Sequence, residues 1–504
     1  MLLHRRRFLA HIGSSAVMAA VTRFARGYAS GSASQLDPAH DPLRPEYHLL
    51  PPHNWMNDPN GPIWWKGKYH LFYQLNPNAS VWGDMHWGHA VSTDMVHWRH
   101  EAIALSPTLG GPDSEGCFSG SAVVFDGVPT FIYTGVQNAP PASVTLHDGN
   151  DKLRESQLLA TAEDDDLIRW KKLDSPVVPF PPPNMTVTGF RDPCLWREAE
   201  TWYMGIGSGE RGKGGCVLLY RSQDLHHWDY LHKLAEGVPN GKQAANPCDS
   251  GEMWECPDFF EINKRYCLLY STENKVIWTT GDYDPVRQIY TPTRRGVLDH
   301  GACYAPKSFL APDQRRILWG WIRETRPEAE FASAGWAGAM SLPRVLTIGE
   351  QGQLEIRPAA EVAKLRGAAE RATVQADTPF RRKLAHLRQE LRVPIDFSMG
   401  AITVRLLTRG NEVWHLVVNV KGDSIRTADV SFPLPSFPYP MLGLRIFIDN
   451  SIIESFIGGR EVITSRSYSL APGETEVEVS IAGKGRIEID LCSLLAISKD
   501  RLAT

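Results

Sequence analysis

The 504-residue chain lacks most of what would point to a membrane, a nucleic acid or a redox centre. The apolar run near its start is bracketed by His11 and Arg23, well short of the roughly 20 residues that cross a bilayer. After the first few residues there is no long block of one charge. Lys plus Arg number 53 against 57 Asp plus Glu, a net charge of -4, which argues against a nucleic-acid partner. The eight cysteines, at 117, 194, 216, 248, 256, 267, 303 and 492, show no CxxC spacing, so neither a zinc ribbon nor a thioredoxin-like site is indicated. Their pairing is not legible from sequence. Between residues 55 and 325 no long stretch has helical periodicity, which leaves an all-β reading.

What the chain has in quantity is flat rings, with 16 Trp, 15 Tyr and 18 Phe. These can pack a β-rich core or stack on sugar faces. They lie in short aromatic and β-branched runs broken by Gly, Pro, Asn and Asp. One unit recurs five times, as an apolar strand, a turn and a second strand ending in aromatics. Its copies begin near Asn57, Phe118, Phe190, Glu255 and Tyr304. The loose period suits one four-stranded sheet per repeat, and five such sheets make a β-propeller. STDMVHW, AEDDDLIRW and SQDLHHW, at 92–98, 162–170 and 222–228, add a second recurrence of an acidic turn before a Trp. A long β-sandwich with coincidental resemblances is the competing architecture.

The two ends of the chain differ from this body. Arg5, Arg6, Arg7, Phe8 and Leu9 precede a weakly apolar stretch and then small residues. That order resembles a twin-arginine export signal over 1–33 and implies a periplasmic or extracellular protein without a membrane anchor. The propeller is expected over 44–350. After Pro343 the composition changes, and PAAEVAKLRGAAER reads as a short helix within a 351–372 linker. Alternating strands such as AITVRLL and TEVEVSI then predict a β-sandwich over 373–504.

Three acids stand at what read as equivalent repeat positions: Asp58 in WMNDPNG, Asp192 in GFRDP and Glu255 in MWECPD. The inner strand of each propeller blade lies nearest the axis, so the three would face one funnel. Singly, each has a plainer reading. Asp-Pro-Asn-Gly is a good β-turn, Arg191 beside Asp192 is an ordinary ion pair, and Glu255 is a loop acid. Together, flanked by Trp55, Trp254 and Arg191, they form the convergent carboxylates that glycosidic cleavage needs. His86-x-x-His89 and His97-x-x-His100 have no carboxylate or thiol joining them at a known metal spacing. Cys256 has no identifiable histidine partner for thiol catalysis. No metal or other cofactor is expected.

WMNDPNG, FRDP and WECPD, in this order, resemble the invertase-like β-fructofuranosidases of glycoside hydrolase family 32. The resemblance extends through GCFSGSAVV, YAPKSF, RRILWGW and GWAGAMSLPRVL to LRIFIDNSIIESFI. It implies a five-bladed propeller followed by a β-sandwich, acting on a small carbohydrate. It also implies retaining cleavage of a terminal β-fructofuranosyl residue, with Asp58 as nucleophile, Glu255 as acid/base with a raised pKa, and Asp192 as transition-state stabiliser. By the same resemblance Trp55, Asn57, Gln74, Ser119 and Arg191 hold the sugar, and Trp82 and Phe118 wall it. Some sucrose-preferring relatives place an Asp and a Lys three residues apart after the ECPD motif. Here Glu273 and Lys275 stand closer together, which leaves the donor open among sucrose, fructo-oligosaccharides and fructans. Fructosyl transfer, a silent fructan-binding protein and an arabinan-degrading propeller are the alternatives, and no oligomeric state is legible.

Overall fold

The strands of this chain are short because turn residues punctuate them. In a computed structural model, Lys66–Gly67 and Asp126–Gly127 each have positive φ at both positions, the two-residue turn whose twist suits an antiparallel hairpin. The structure describes residues 38–147, 151–376, 378–396, 398–435, 441–483 and 485–497, so the expected export segment at 1–33 lies outside the described residues.

Five antiparallel sheets follow one another along the first two-thirds of the chain. Their inner strands are Asn54–Trp65, Gly116–Phe125, Val187–Glu198, Glu255–Ile262 and Cys303–Leu310. Neighbouring inner strands touch in cyclic order, and the fifth touches the first. The ring is therefore closed, and it is a five-bladed propeller. A parallel pairing of Trp336–Ala337 with Asn54 and Trp55 draws the late chain onto the first blade and reinforces the closure.

The recurrent acidic turn before a Trp fastens the outer strand of three blades. Asp94, Asp164 and Asp224 accept backbone N–H bonds from Val96 and His97, Ile168 and Arg169, and His226 and His227. Trp98, Trp170 and Trp228 donate from the indole nitrogen to the carbonyls of Met95, Leu167 and Leu225, at 2.8 to 3.0 Å. Those three acceptor residues all have positive φ, so the same turn is built three times.

Two six-stranded sheets face each other in the C-terminal sandwich. Alternating residues such as Ile402, Val404 and Leu406 pack against Leu444, Ile446 and Ile448 in its core. The expected 351–372 linker with a helix is corrected in two places. Leu354–Pro358 is the outermost strand of the fifth blade, which carries the propeller past 350. Only Ala360–Leu365 winds, as a 3-10 helix, and Arg366–Gln375 is a sandwich strand paired with Arg486–Leu494. Helix propensity separates ordinary residues by only ~0.7 kcal/mol each. A full ladder of strand hydrogen bonds, with Arg371 on Asp490 and Thr373 on Glu488 across it, outweighs that preference.

Propeller and sandwich meet on an apolar seam that includes Val96, Leu342 and Leu346 on one side and Phe447, Phe456 and Val462 on the other. Beside it runs a fully buried ionic chain. Arg344 lies 2.9 Å from Asp299 and 2.6 Å from Glu454, and His48 bridges Glu454 at 2.9 Å to Asp449 at 2.8 Å.

Candidate active site

Every inner strand carries a bulge in which two residues oppose one on its neighbour. The three acids cluster at these bulges but not at one equivalent position. Glu255 is the last paired residue before its bulge, Asp192 is the first bulge residue, and Asp58 is the second. The register equivalent of Glu255 is Arg191 in the third blade and Tyr304 in the fifth. Asp192 and Cys256 hold positive φ there, a strained conformation that turns their side chains off the regular strand pleat.

The bulges bring the acids to one place on the axis. Asp58 accepts from Ser119 Oγ at 2.7 Å and Asn57 Nδ2 at 3.0 Å. The Cys256 sulfur sits between two of the acids, 3.4 Å from Asp58 Oδ2 and 3.5 Å from Asp192 Oδ2, and the Cys256 N–H donates to Asp192 at 2.9 Å. Arg191 Nη2 donates to Glu255 Oε1 at 2.8 Å, and the Tyr304 hydroxyl donates to Glu255 Oε2 at 2.8 Å. Arg191 is itself anchored from behind by the buried Glu155 at 3.0 Å. Asp58 and Glu255 are half-buried, whereas Asp192 lies deeper.

Burial and like charge act on these carboxyls unequally. Burial pushes Asp192 up to about 7, against the pull of Arg191 and with added repulsion from Asp58 and Glu255. Burial also raises Asp58, although Ser119 and Asn57 oppose it. Burial works in the same direction on Glu255, but the charge and hydrogen bonds of Arg191 and the hydroxyl of Tyr304 outweigh it and leave Glu255 below its ordinary value. The raised pKa expected of Glu255 is therefore not what its surroundings produce. The upward shift falls on Asp58 and Asp192.

Most other expected contacts surround this group. The Trp55 indole donates to Asn57 Oδ1 at 2.7 Å, and buried Gln74 donates to the Cys117 carbonyl at 3.0 Å. Trp82 and Phe118 meet edge to face and share an aromatic cluster with Trp55, Trp321, Tyr304 and Phe331. Trp254 is no part of it: it is buried and stacks on Tyr270 in the blade core. Glu273 and Lys275 flank Asn274 in the turn between the second and third strands of the fourth blade. Glu273 faces Gly251 and Lys275 is exposed.

Sequence reading missed Tyr304, Glu155 and Cys256 as parts of the site. Tyr304 was within reach, because counting back from the Pro in the bulges of the third, fourth and fifth blades aligns it with Arg191 and Glu255. Glu155 sits in a third strand with no motif around it, so nothing in the sequence marks it. The histidine pairs are engaged elsewhere, with His89 on His70, His97 on Asp94 and His100 on Tyr73. Among the described residues no group of three or more side chains is placed to hold a metal ion. All eight cysteines are buried free thiols.

A closed ring of five blades with three carboxylates at its axis defines a glycoside hydrolase. Models of the glycosyl hydrolases family 32 N-terminal and C-terminal domains match residues 48–358 and 359–493. The chain is 36% identical to a sucrose-6-phosphate hydrolase of Escherichia coli over 87% of this chain and 91% of that one. It is 35% identical to a raffinose invertase of the same organism, over 85% and 90%. A mutant of a Bombyx mori GH32 beta-fructofuranosidase, solved in complex with sucrose, superposes with a TM-score of 0.77 at 27% identity, over 92% of this chain and 96% of that one. The chain belongs to glycosyl hydrolases family 32, as an enzyme that cleaves β-fructofuranosyl linkages.

Proposed function

We propose that the enzyme releases terminal fructose in two displacements, with Asp58 as nucleophile, Glu255 as acid/base and Asp192 as stabiliser. The observation that carries this assignment is the difference in what holds each carboxylate. Asp58 is oriented by the neutral donors of Ser119 and Asn57 and by a thiol, with no cation paired to it among the described residues, which suits a nucleophile. Glu255 is half-buried and gripped from its two sides by Arg191 and Tyr304, which suits a group that exchanges a proton with an oxygen at the pocket mouth. Asp192 is deepest and lies 4.0 Å from Arg191, placed to accept fructose hydroxyls.

In the first step Asp58 attacks the anomeric carbon while Glu255 protonates the departing oxygen. In the second, Glu255 takes a proton from water, which displaces Asp58 and frees fructose. Glu255 must be protonated for the first step, yet Arg191 favours its ionised form. We read Asp192, raised to about 7, as the carrier of the proton that the trio shares at acidic pH. A glycosidic oxygen facing Glu255 favours the protonated form of that carboxyl, while Asp192 accepts from the sugar hydroxyls.

The donor is a neutral or phosphorylated sucrose, an oligosaccharide or a fructan end. The test is a panel of sucrose, sucrose 6-phosphate, raffinose, 1-kestose, inulin and levan with chromatography of the products, fructose 6-phosphate not being counted as fructose. Fructose released from at least one is expected, and fructose from none overturns the proposal. Kestose-type products accumulating at high sucrose would redirect it to transfer. The Arg5–Arg6–Arg7–Phe8–Leu9 pattern supports export by the twin-arginine route. Retention of activity inside bacterial cells after Arg5, Arg6 and Arg7 are all changed to Lys is the expected readout.

A further inference from the structure

Residues 327–335 leave the fifth blade after its second strand and do not hold themselves in place. They form the helix Glu328–Ala334, which has seven residues, no side-chain cap at its N-terminus and no fully buried residue. That is far below the ~12 residues at which an isolated helix begins to hold in water, so its position comes from its two ends. At the far end the Asn54 N–H donates to the Gly335 carbonyl at 2.7 Å, and Trp336 and Ala337 pair with Asn54 and Trp55. At the near end the grip comes from the sandwich. Glu324 accepts from Arg466 Nη2 at 3.0 Å and from the Tyr468 hydroxyl, while Arg326 closes on the same carboxylate from Nη2 at 2.8 Å and Nε at 3.1 Å. The Tyr468 oxygen also accepts from Arg466 Nε at 2.8 Å and from the Thr325 N–H at 3.2 Å. Both guanidiniums lie over the Tyr468 ring, 5.2 and 5.3 Å from its centroid. The side chains of Glu324, Arg326 and Arg466 are at most 4% exposed, so little water competes for this clamp.

Between these anchors Phe331 turns back toward the pocket. Its ring centre lies 5.9 Å from that of Trp55, and it shares an aromatic cluster with the half-buried rings of Trp82, Phe118 and Tyr304. Trp55 in turn donates to Asn57, which donates to Asp58. We propose that Arg466 and Tyr468, on the sandwich, are positioning residues for the active site: they fix Glu324 and Arg326, and so hold Phe331 as a wall of the pocket beside Trp55. The inference rests on the reading of this pocket as the fructose site. The sandwich then sets how tightly substrate is held, while the chemistry stays with the acid trio of the propeller. Phe331 offers apolar area and no charge, so its contact serves the ground state and the transition state alike, and its loss shows in KM rather than in kcat.

The test is a double-mutant cycle of Tyr468→Phe and Phe331→Ala, measured on the panel donor that the wild type cleaves fastest. Tyr468→Phe keeps the ring beneath the two guanidiniums and removes the hydroxyl that joins Glu324, Thr325 and Arg466. Each single variant should raise KM at least ~5-fold with kcat within ~2-fold of wild type, and the double variant should be no worse than Phe331→Ala alone. An unchanged KM in either single variant overturns the proposal, and so do effects that multiply in the double variant, because Tyr468 then acts by another route. A Glu-specific protease gives a second reading that does not depend on activity, since Glu328 and Glu330 are exposed. Cleavage after them should be at least ~5-fold faster in Tyr468→Phe than in wild type, and an equal rate overturns the proposal. Should Tyr468→Phe fail to fold, Arg466→Lys, which keeps the charge and loses the Nε bond to Tyr468, takes its place in both measurements. A wild type that cleaves no donor of the panel sinks the fructosidase reading, and the protease measurement still decides the clamp.

Discussion

The acid pocket and the seam between propeller and sandwich both bury carboxylates beside an arginine, but they balance charge differently. In the pocket, Asp192, Glu255 and Glu155 share one guanidinium, that of Arg191, while Asp58 is held by the neutral donors of Ser119 and Asn57. In the seam, Arg344 serves Asp299 and Glu454, while His48 joins Glu454 to Asp449. Backbone donors complete the seam: Asp449 accepts the N–H groups of Glu46, Tyr47 and His48, and Asp299 accepts those of Gly301 and Thr464. The consequence shows in the protons. Asp192 is raised to about 7, whereas Glu454 is lowered and His48 is raised to about 9. Excess negative charge is kept where a proton must move, and two cations with backbone donors nearly offset it where it only has to hold two domains together.

The largest expected break in this comparison is catalytic. Asp58→Asn and Glu255→Gln should each lower kcat by at least ~10³, because each removes a group that acts in the transition state. Thermal melting should show both variants folded, and a near-normal rate in either would reassign the roles. The stability sign in the pocket is the opposite of the usual one. A carboxyl raised in the folded state binds its proton more tightly there than in the unfolded chain, so Asp192 costs stability increasingly as pH rises from ~4 to about 7. Asp192→Asn should therefore melt no lower than wild type at pH 8, while losing most activity.

The seam should respond in reverse. Arg344→Met leaves Asp299 and Glu454 buried without their shared cation and should cost about 3–5 kcal/mol of stability in denaturant titrations. The molecules that remain folded should turn over substrate normally. A smaller effect tests His48. Its folded pKa is raised, so its stabilisation is fully present below the unfolded value of ~6.5 and is lost as pH rises through about 9. His48→Gln should thus destabilise the protein at pH 6 and converge on wild type by pH 10. A constant gap across that range would mean that packing, not charge, is what His48 supplies.

How much of this was legible before the structure depended on how local the cause is. The blades were readable because each is set by neighbours in sequence, as the turn of Asp94, Met95 and Trp98 and its two copies show. The acids were readable as a group, since each stands one or two residues before a Pro at the entry of a repeated strand. Their offset by one residue each was not, because register depends on the second strand of the blade. Ala368 and Ala369 favour a helix by propensity, and only the partner strand Arg486–Leu494, more than a hundred residues on, decides otherwise. Glu155 is the extreme case. Its role consists entirely of lying behind Arg191.

The eight buried thiols carry a consequence of another kind. A thiol reagent reaches them when the surrounding sheets part, so the folded chain contains its own clock of opening. They are spread over both domains, from Cys117 in the second blade to Cys492 in the last sandwich strand. Labelling followed by peptide mapping would therefore time the second to fifth blades and the sandwich separately, and show whether the ring opens before its partner domain lets go.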